Sequence, residues 1–449
     1  MAHQSLGTLN YRITEFANLK LSMKIIKYPS ESEWQSLLAR PAMDTTSLFG
    51  TVEQVLDDIR TRGDEAVIDY ELKFDKVELD ALQVSDVEMM DAQSLVSEEL
   101  KSAILVALKN IEIFHQAQRF VGEKINTMNG VTCWQKAVAI EKVGLYIPGG
   151  TAPLFSTVLM LAVPARIAGC SEIVLCTPPN REGKIHPAIL FAAKSAGVSK
   201  VFKIGGIQAI GAMAYGTQSV PKTYKIFGPG NQYVTAAKQL VSLKEVAIDM
   251  PAGPSEVLII ADKTANPAFV ASDFLSQAEH GADSQSILVT CDESIVDAIV
   301  EEIEAQLAVL PRRELAEKSI NHSKIIVVKD WEEVVRITNQ YAPEHLIVEA
   351  ENYRELSEQI INAGSVFMGH YTPESAGDYA SGTNHTLPTN GYAKAYSGVN
   401  LDSFIKKITF QEITKEGLQQ LGPVIETMAA AELLEAHKNA VTVRLGTIE

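Results

Sequence analysis

Residues 141–176 of this 449-residue chain, EKVGLYIPGGTAPLFSTVLMLAVPARIAGCSEIVLC, contain two short apolar runs on either side of a longer apolar segment. The short runs predict strands at residues 143–147 and 172–176, and the longer segment predicts a helix at residues 157–168. A strand, a helix and a second strand in this order are typical of a parallel sheet covered by helices. The stretch therefore predicts an α/β fold.

The same alternation continues towards the C-terminus in two blocks, separated by a loop at residues 249–255. Further strands are predicted at residues 201–204, 256–261, 286–290, 324–328, 345–348 and 365–368. Further helices are predicted at residues 187–196, 208–215, 267–280 and 295–309. Residues 47–120 predict mainly helices, and residues 405–444 predict a tail that ends in one long helix.

These patterns predict two α/β domains with mostly parallel, incomplete Rossmann-like sheets covered by helices, plus an N-terminal arm and a helical C-terminal tail. The arm is predicted at residues 1–24 and the tail at residues 396–449. Between them we predict a discontinuous catalytic domain, residues 25–142 with 257–395, and a second α/β domain, residues 143–256. No repeat at a solenoid period interrupts this organisation.

Composition excludes several classes of protein. The formal net charge of −17 disfavours binding to nucleic acid and to anionic lipid. No apolar run reaches the roughly 18 residues of a membrane span, and no signal peptide is recognised, so we expect a cytoplasmic location. The four cysteines form no CxxC pair, which disfavours a disulfide framework or a zinc–thiolate site. Any metal would therefore use His, carboxylate or amide ligands.

Gln277 and His280 continue the apolar stripe of the helix predicted at residues 267–280. Buried polar side chains need partners, and the C-terminus of a helix favours a cation. The pair is either two metal ligands or a hydrogen-bonded core pair, and the i, i+3 spacing alone favours the core pair.

The dipeptide Glu344–His345 lies at the start of a predicted strand, after Pro343. A histidine titrates near neutral pH and can accept and return protons, and an adjacent glutamate can activate a water molecule. The alternative is a surface glutamate beside a hydrogen-bonded turn histidine.

Two further regions contain groups able to bind a metal or a proton. Residues 369–390 predict a long polar loop that carries Asp378 and His385, with His370 as a less favoured third candidate. Near the C-terminus, His437 lies close to an apolar stripe, where a core histidine is more common than a ligand. Glu432 on the same segment is ordinarily a solvated carboxylate.

Glycine clusters follow three predicted strands: IPGG at residues 147–150, IGG at 204–206 and FGPGN at 227–231. Backbone N–H groups at such strand–turn–helix positions can contact phosphates. None of the clusters matches GxGxxG, so each is weak evidence for a nucleotide and is better explained as ordinary strand–turn–helix glycines.

Taken together, these segments resemble the histidinol dehydrogenase family from about Met23 to the C-terminus. The stretches that carry the resemblance, in the family's order, are VGLYIPGG, GGIQAI, FGPGNQYV, DMPAGPSEVLIIAD, SDFLSQAEHGADSQ, APEHL, GDYASGTNHTLPT and AAAELLEAHKNAV. Residues 1–22 extend beyond the resemblance and receive no function.

The resemblance implies oxidation of L-histidinol to L-histidine through L-histidinal, the last steps of histidine biosynthesis, with NAD and one Zn²⁺ per subunit. It implies a zinc site made of Gln277, His280, Asp378 and His437, and an acid/base pair made of Glu344 and His345. Substrate contacts are implied for Ser255, Gln277, His280, His345, Asp378, His385, Glu432 and His437. NAD contacts are implied for Tyr146, Gln208 and Asn231, which assigns NAD to the domain at residues 143–256. A homodimer is implied in which the tail of one subunit completes the site of the other.

Two other functions are compatible with the residues themselves. A zinc-dependent amide hydrolase would use Glu344 to activate a zinc-bound water. A catalytically silent metabolite-binding relative is the third possibility, and the intact set of acid/base and metal-capable residues argues against it.

Overall fold

A computed structural model describes residues 23–41, 46–149, 152–250 and 253–448 of the chain. The predicted N-terminal arm lies outside the described residues except for its last two. In chain order the strands are β1 (Lys24–Lys27), β2 (Ile125–Met128), β3 (Val131–Ala139), β4 (Lys142–Tyr146), β5 (Glu172–Thr177), β6 (Lys200–Lys203), β7 (Lys225–Phe227), β8 (Ala247–Ile248), β9 (Glu256–Ala261), β10 (Gln285–Thr290), β11 (Lys324–Val327), β12 (His345–Glu349), β13 (Ser365–Met368) and β14 (Ile405–Ile413).

The α-helices between and around these strands are α1 (Glu31–Leu37), α2 (Phe49–Arg62), α3 (Asp64–Tyr70), α4 (Asp86–Leu95), α5 (Glu98–Gln116), α6 (Phe155–Ala168), α7 (Pro187–Ala196), α8 (Gly206–Tyr215), α9 (Gln232–Ser242), α10 (Pro267–Ala278), α11 (Val296–Val309), α12 (Arg313–Ile320), α13 (Trp331–Tyr341), α14 (Tyr353–Glu358), α15 (Glu374–Tyr379), α16 (Lys415–Ala431) and α17 (Glu435–Leu445). A π-helical turn lies at Glu71–Asp75, and 3₁₀ turns lie at Thr46–Leu48, Glu293–Ile295, Tyr392–Lys394 and Leu401–Phe404.

The chain divides into two compact units. Unit 1 contains the described parts of residues 1–43, 252–376 and 387–397, and unit 2 contains those of residues 44–251, 377–386 and 398–449. The predicted catalytic domain grouped residues 25–142 with 257–395, whereas residues 46–142 pack within unit 2. The functional labels of the domains stay predictions.

Unit 1 is built on a six-stranded sheet in the order β1–β11–β10–β9–β12–β13, in which every pair of neighbours is parallel. Strands β9, β10 and β12 are buried along their whole length. Continuous apolar runs such as Val257–Ala261 suit such strands because helices cover both faces of the sheet. Two apolar clusters form the core, one on each face of the sheet.

Unit 2 contains a five-stranded parallel sheet in the order β6–β5–β4–β7–β8. Helix α6 is apolar on almost every face and is buried from Ser156 to Ala165, which explains why it shows little amphipathic pattern. A separate antiparallel sheet, β14–β3–β2, belongs to the same unit.

The predicted fold class, two mostly parallel sheets covered by helices, is confirmed. Strands β9 and β13 and helix α7 have the predicted bounds. The C-terminal prediction is wrong, because the tail contains strand β14 and two helices instead of one long helix. The break falls at Leu433, whose φ of 59° is incompatible with a continuous right-handed helix.

None of the helices described here is both long enough and apolar enough to cross a membrane.

Candidate functional site

The amino edge of the unit 1 sheet gathers most of the predicted catalytic residues of that unit. Ser255 immediately precedes β9 and Glu344 immediately precedes β12, and these strands are parallel neighbours with His345 opposite Val257. The helix between two parallel strands runs antiparallel to them, so the end of α10 returns to this same edge before β10. Gln277 and His280 therefore belong to the edge that carries Ser255 and Glu344.

Glu344 and His345 are both buried and adjacent to a second carboxylate. An oxygen of Glu344 accepts the backbone N–H of Glu256 at 2.9 Å, which holds the carboxylate against β9. The Nδ1 atom of His345 lies 3.7 Å from Glu344 Oε2 and 3.7 Å from Glu374 Oε1. A histidine between two carboxylates is well placed to carry a proton, because either carboxylate stabilises the imidazolium.

Gln277 is the second-last residue of α10, and none of its surface is exposed. Neither its amide nitrogen nor its amide oxygen has a hydrogen-bond partner among the described residues. A buried amide without partners is destabilising by about 1–3 kcal/mol, so the side chain is suited to a ligand that the protein itself does not supply.

The predicted helix around Gln277 and His280 begins as expected but ends earlier. Asn266 caps its N-terminus by accepting the N–H of Ala268, and Pro267 is its first residue. The helix ends at Ala278, so His280 lies in the following turn, where its N–H donates to Gln277 O at 3.2 Å. Desolvation, and then the charge of Arg312, lower the pKa of His280. A lowered pKa keeps the ring neutral, as a metal ligand must be.

The predicted loop at residues 369–390 contains the short helix α15, which places Glu374 and Asp378 one turn apart. The boundary between the two units runs through this helix. Glu374 is buried, and its carboxylate and a ring nitrogen of His280 offer ligand atoms within 4.8 Å of each other. Asp378 offers a further oxygen within 4.8 Å of Glu374. Burial raises the pKa of Asp378 to about 7.

Glu374 was missed by the sequence reasoning. The signal that could have found it is a second carboxylate four residues before Asp378, in the segment PESAGD, since i and i+4 share one face of a helix. The segment is too short and polar to predict a helix by periodicity, so the pairing had no visible support.

His385 contacts the polar atoms of unit 2 that surround it. Its Nδ1 lies 2.9 Å from the backbone oxygen of Asp378, and its Nε2 lies 3.0 Å from Thr157 Oγ1 on α6. These two contacts fix the ring orientation. His370 is not part of this arrangement; it lies near Thr264 and the buried Glu349 of unit 1.

Glu432 and His437 are exposed on the C-terminal helices, so the interpretation of His437 as a core histidine is wrong. Neither residue belongs to the His280–Glu374–Asp378 cluster found in the described chain. Leu433, between them, is 86% exposed at its strained backbone position, which leaves an apolar side chain uncovered on this surface.

Unit 2 contains a cavity of about 1210 Å³ at the carboxyl ends of its parallel strands. Its lining includes the three residues predicted to contact NAD, Tyr146, Gln208 and Asn231. The lining also includes residues at the N-termini of α7, α8 and α9, where the helix dipoles favour an anionic ligand. The volume exceeds the roughly 300–1,000 Å³ of drug-sized pockets, so the cavity has room for a larger ligand such as a dinucleotide.

Glycine conformations allow the backbone to approach closely at this cavity. Gly228, with φ of 119°, lies so close to Tyr146 that a Cβ there would be 2.0 Å from its backbone oxygen. Asn231 caps α9 by accepting the N–H groups of Tyr233 and Val234. Lys238 and Asp249 form a buried ion pair, and both also bind the backbone of Gly228.

The sequence matches the family model described as histidinol dehydrogenase over residues 38–445. The chain belongs to the histidinol dehydrogenase family. The histidinol dehydrogenase of Bacteroides thetaiotaomicron is 70% identical over 427 residues, which cover 95% of this chain and 100% of the relative. That of Escherichia coli K12 is 55% identical over 418 residues, which cover 92% and 95%.

A crystal structure of histidinol dehydrogenase from Elizabethkingia anophelis superposes with a TM-score of 0.94 at 55% identity, covering 96% of this chain and 100% of that one. The fold, the family and the enzyme class, an oxidoreductase, are therefore established for this chain.

Proposed function

We propose that this enzyme oxidises L-histidinol to L-histidine through L-histidinal, the last steps of histidine biosynthesis, with NAD as the oxidant and one zinc ion per subunit. Family membership supports the substrate. The observation that carries the mechanism is the position of Glu374, which lies 3.7 Å from His345 Nδ1 and also clusters with His280. A proton-carrying histidine thus stands one side chain away from a group of metal-capable residues.

The donor set fits the proposed metal. Gln277, His280 and Asp378 would hold the ion, with His437 of the partner subunit as the fourth ligand. The unpartnered, buried amide of Gln277 is the strongest support, because an ion would satisfy its oxygen. Imidazole, amide and carboxylate ligands suit zinc, manganese or cobalt. When bound, zinc would orient the amine and imidazole nitrogens of histidinol, since it has no redox chemistry of its own.

The acid/base work falls to Glu344 and His345. His345 would accept the alcohol proton in the first oxidation, and the flanking carboxylates would stabilise its imidazolium form. Glu344 would activate the water that adds to the aldehyde before the second oxidation. Ser255, His385 and Glu432 would contact the substrate, with Glu432 supplied by the partner in the same way as His437.

NAD would bind in the cavity of unit 2 and accept the hydride at each oxidation. The pyrophosphate suits the N-termini of the bordering helices. Because the Oδ1 atom of Asn231 is occupied by its cap, the side chain has only its N–H groups left for a ligand. Tyr146 accepts the N–H of Gly206 at 3.2 Å, which leaves its O–H as a donor.

We further propose a cytoplasmic homodimer with a shared site. The exposure of Glu432, His437 and the apolar Leu433 on one surface is the support for a covering subunit. Inactive His437→Ala and inactive Gln277→Ala subunits, mixed to form heterodimers, should recover part of the activity. Verified heterodimers with no recovery would contradict a shared site.

The substrate and stoichiometry are tested by incubating purified protein with histidinol and NAD. Two NADH per histidinol consumed, with histidine as product, is the expected result. Amide cleavage without NADH would instead identify the metal hydrolase, and binding without turnover would identify a silent relative.

A further inference from the structure

Two acids in unit 2, Glu71 and Asp75, begin and end a single π-helical turn. Glu71 is fully buried, and its Oε1 accepts the N–H of Gly205 at 2.8 Å and Gln208 Nε2 at 2.9 Å. Asp75 Oδ2 accepts from the same Gln208 nitrogen at 3.1 Å. π-helical turns are rare in proteins, and those that occur are often found at functional sites. This pair of acids is therefore a candidate for a functional role.

The hydrogen bonds fix which way the Gln208 amide faces. Its nitrogen donates to both carboxylates, and its oxygen has no partner among the described residues. The Gln208 oxygen is itself buried, so Asp75 is the acceptor that this side of the cavity presents to a ligand. Glu71 lies behind this wall, whereas Asp75 is half-buried and lines the cavity.

Asp75 also lies close to the carboxyl end of the unit 2 sheet. A Cβ at Gly205, just beyond β6, would lie 3.3 Å from Asp75 Oδ2 and 2.7 Å from Pro178 Cβ, just beyond β5. In dinucleotide-binding folds, an acid beyond the second strand of the first βαβ unit binds the ribose 2′-hydroxyl. Here that strand is β5, and the residues that follow it, Pro178, Pro179 and Asn180, include no acid.

We infer that Asp75 is a specificity-determining residue that accepts hydrogen bonds from a ribose diol of NAD and excludes the 2′-phosphorylated dinucleotide NADP. This inference rests on the proposed function. A phosphate monoester carries 1.5 to 2 negative charges at neutral pH and offers almost only acceptors, so its charge and its hydrogen bonding both conflict with this wall. Lys73 and Lys184 line the same cavity, but both are exposed, and water and salt screen their attraction.

The test compares NAD and NADP binding by calorimetry in the full-length wild type, Asp75→Asn and Asp91→Asn. The asparagine at 75 keeps one acceptor oxygen for Gln208, removes the charge and replaces the second oxygen with an N–H donor. Asp91 on α4 lines the same cavity and is exposed, so Asp91→Asn is the matched loss of one charge. Asp75→Asn should lower the ratio of the NADP to the NAD dissociation constant by about 10-fold or more. Asp91→Asn should change the ratio by less than about 2-fold.

An unchanged ratio in Asp75→Asn, or an equal change in Asp91→Asn, would overturn the inference. Asp75→Ser, a second variant in case Asp75→Asn fails to fold, should shift the ratio in the same direction. If the wild type binds NAD but forms no NADH from histidinol, the proposed function fails while the selectivity comparison still stands. If the wild type binds neither dinucleotide, both the inference and the assignment of NAD to this cavity fail.

Discussion

The two parallel sheets of this enzyme carry their functional residues at opposite edges. In unit 2 the cavity lies at the carboxyl ends of β4, β5, β6 and β7, where helix N-termini and glycine turns meet. In unit 1 the proposed acid/base pair, Glu344 and His345, lies at the amino edge of β9 and β12, as do Gln277 and His280 at the C-terminal end of α10. Helix N-termini favour anions and helix C-termini favour cations. The two edges thus suit a pyrophosphate and a metal ion, respectively.

The two edges also differ in how their buried polar groups are satisfied. In unit 2, Gln208 donates to two carboxylates, and Lys238 pairs with Asp249. In unit 1, Gln277 has no partner among the described residues. The protein itself thus satisfies the nitrogen of the Gln208 amide, whereas it satisfies neither atom of the Gln277 amide, which suits Gln277 to a ligand.

Replacing His345, the proposed proton-carrying histidine, is expected to have the largest effect. His345→Asn should lower kcat by roughly 10²–10⁴-fold, because general acid–base catalysis contributes about that much. His322→Asn, a change at an exposed histidine of the same unit, should leave kcat within about 2-fold. Steady-state NADH production measures both. A His345→Asn enzyme with near-normal kcat would remove the catalytic role from this edge.

Breaking the buried ion pair of unit 2 should destabilise the fold. Lys238→Met leaves Asp249 buried without its cation and should lower the free energy of unfolding by about 3–5 kcal/mol. Lys27→Met, which breaks the exposed pair with Glu293 in unit 1, should change the free energy of unfolding far less, because water and salt screen that pair. Urea unfolding followed by circular dichroism measures both variants, and equal losses would refute the distinction between them.

Glu71 is expected to make the free energy of unfolding depend on pH. Burial raises the pKa of Glu71 to about 7, and the charge of Asp75 adds to this effect. The hydrogen bond from the N–H of Gly205 lowers the pKa but does not cancel the rise. A carboxyl whose pKa is raised by folding stabilises the protein below its ordinary pKa, and this stability is lost as pH rises through 7. From pH 4.5 to about 7, wild type should lose on the order of 3 kcal/mol relative to Glu71→Gln. Parallel pH–stability curves for the two proteins would contradict this.

The smallest expected effects have opposite signs at the two buried glutamines. In metal-free protein, Gln277→Leu should raise the free energy of unfolding by about 1 kcal/mol, because it removes an unpartnered buried amide. Gln208→Leu should lower it by about 1–3 kcal/mol, because it leaves the Glu71 and Asp75 carboxylates without their shared donor. Urea titrations of both variants decide the point, and destabilisation by Gln277→Leu would mean that its amide already has a partner.

The predictable part of the fold is the part with strong local patterns. The apolar runs of β9 and β13, and α7 with Pro187 at its start, have their predicted bounds. The antiparallel sheet β14–β3–β2 was missed because its strands are largely exposed and lack a continuous apolar run. The early end of α10 and the break at Leu433 depend on single backbone conformations that periodicity does not encode.

The candidate site follows the same division. The family resemblance named Gln277, His280, Glu344, His345 and Asp378, and the structure brings those of unit 1 to one edge of its sheet. Spacing alone could not find Glu374, because its helix is six residues long and polar. Nor could spacing show that the acid beside the cavity, Asp75, would come from a π-helical turn that is distant in sequence from the strands.

The position of the bound metal tests the proposed mechanism most directly. A crystal of the zinc-loaded enzyme with histidinol, measured at wavelengths on both sides of the zinc absorption edge, locates the ion by its anomalous signal. We expect one site per subunit, with Gln277, His280, Asp378 and His437 of the partner subunit as ligands and the substrate nitrogens bound to the same ion. A zinc ion bound elsewhere, or Gln277 buried without contact to it, would contradict the proposed mechanism.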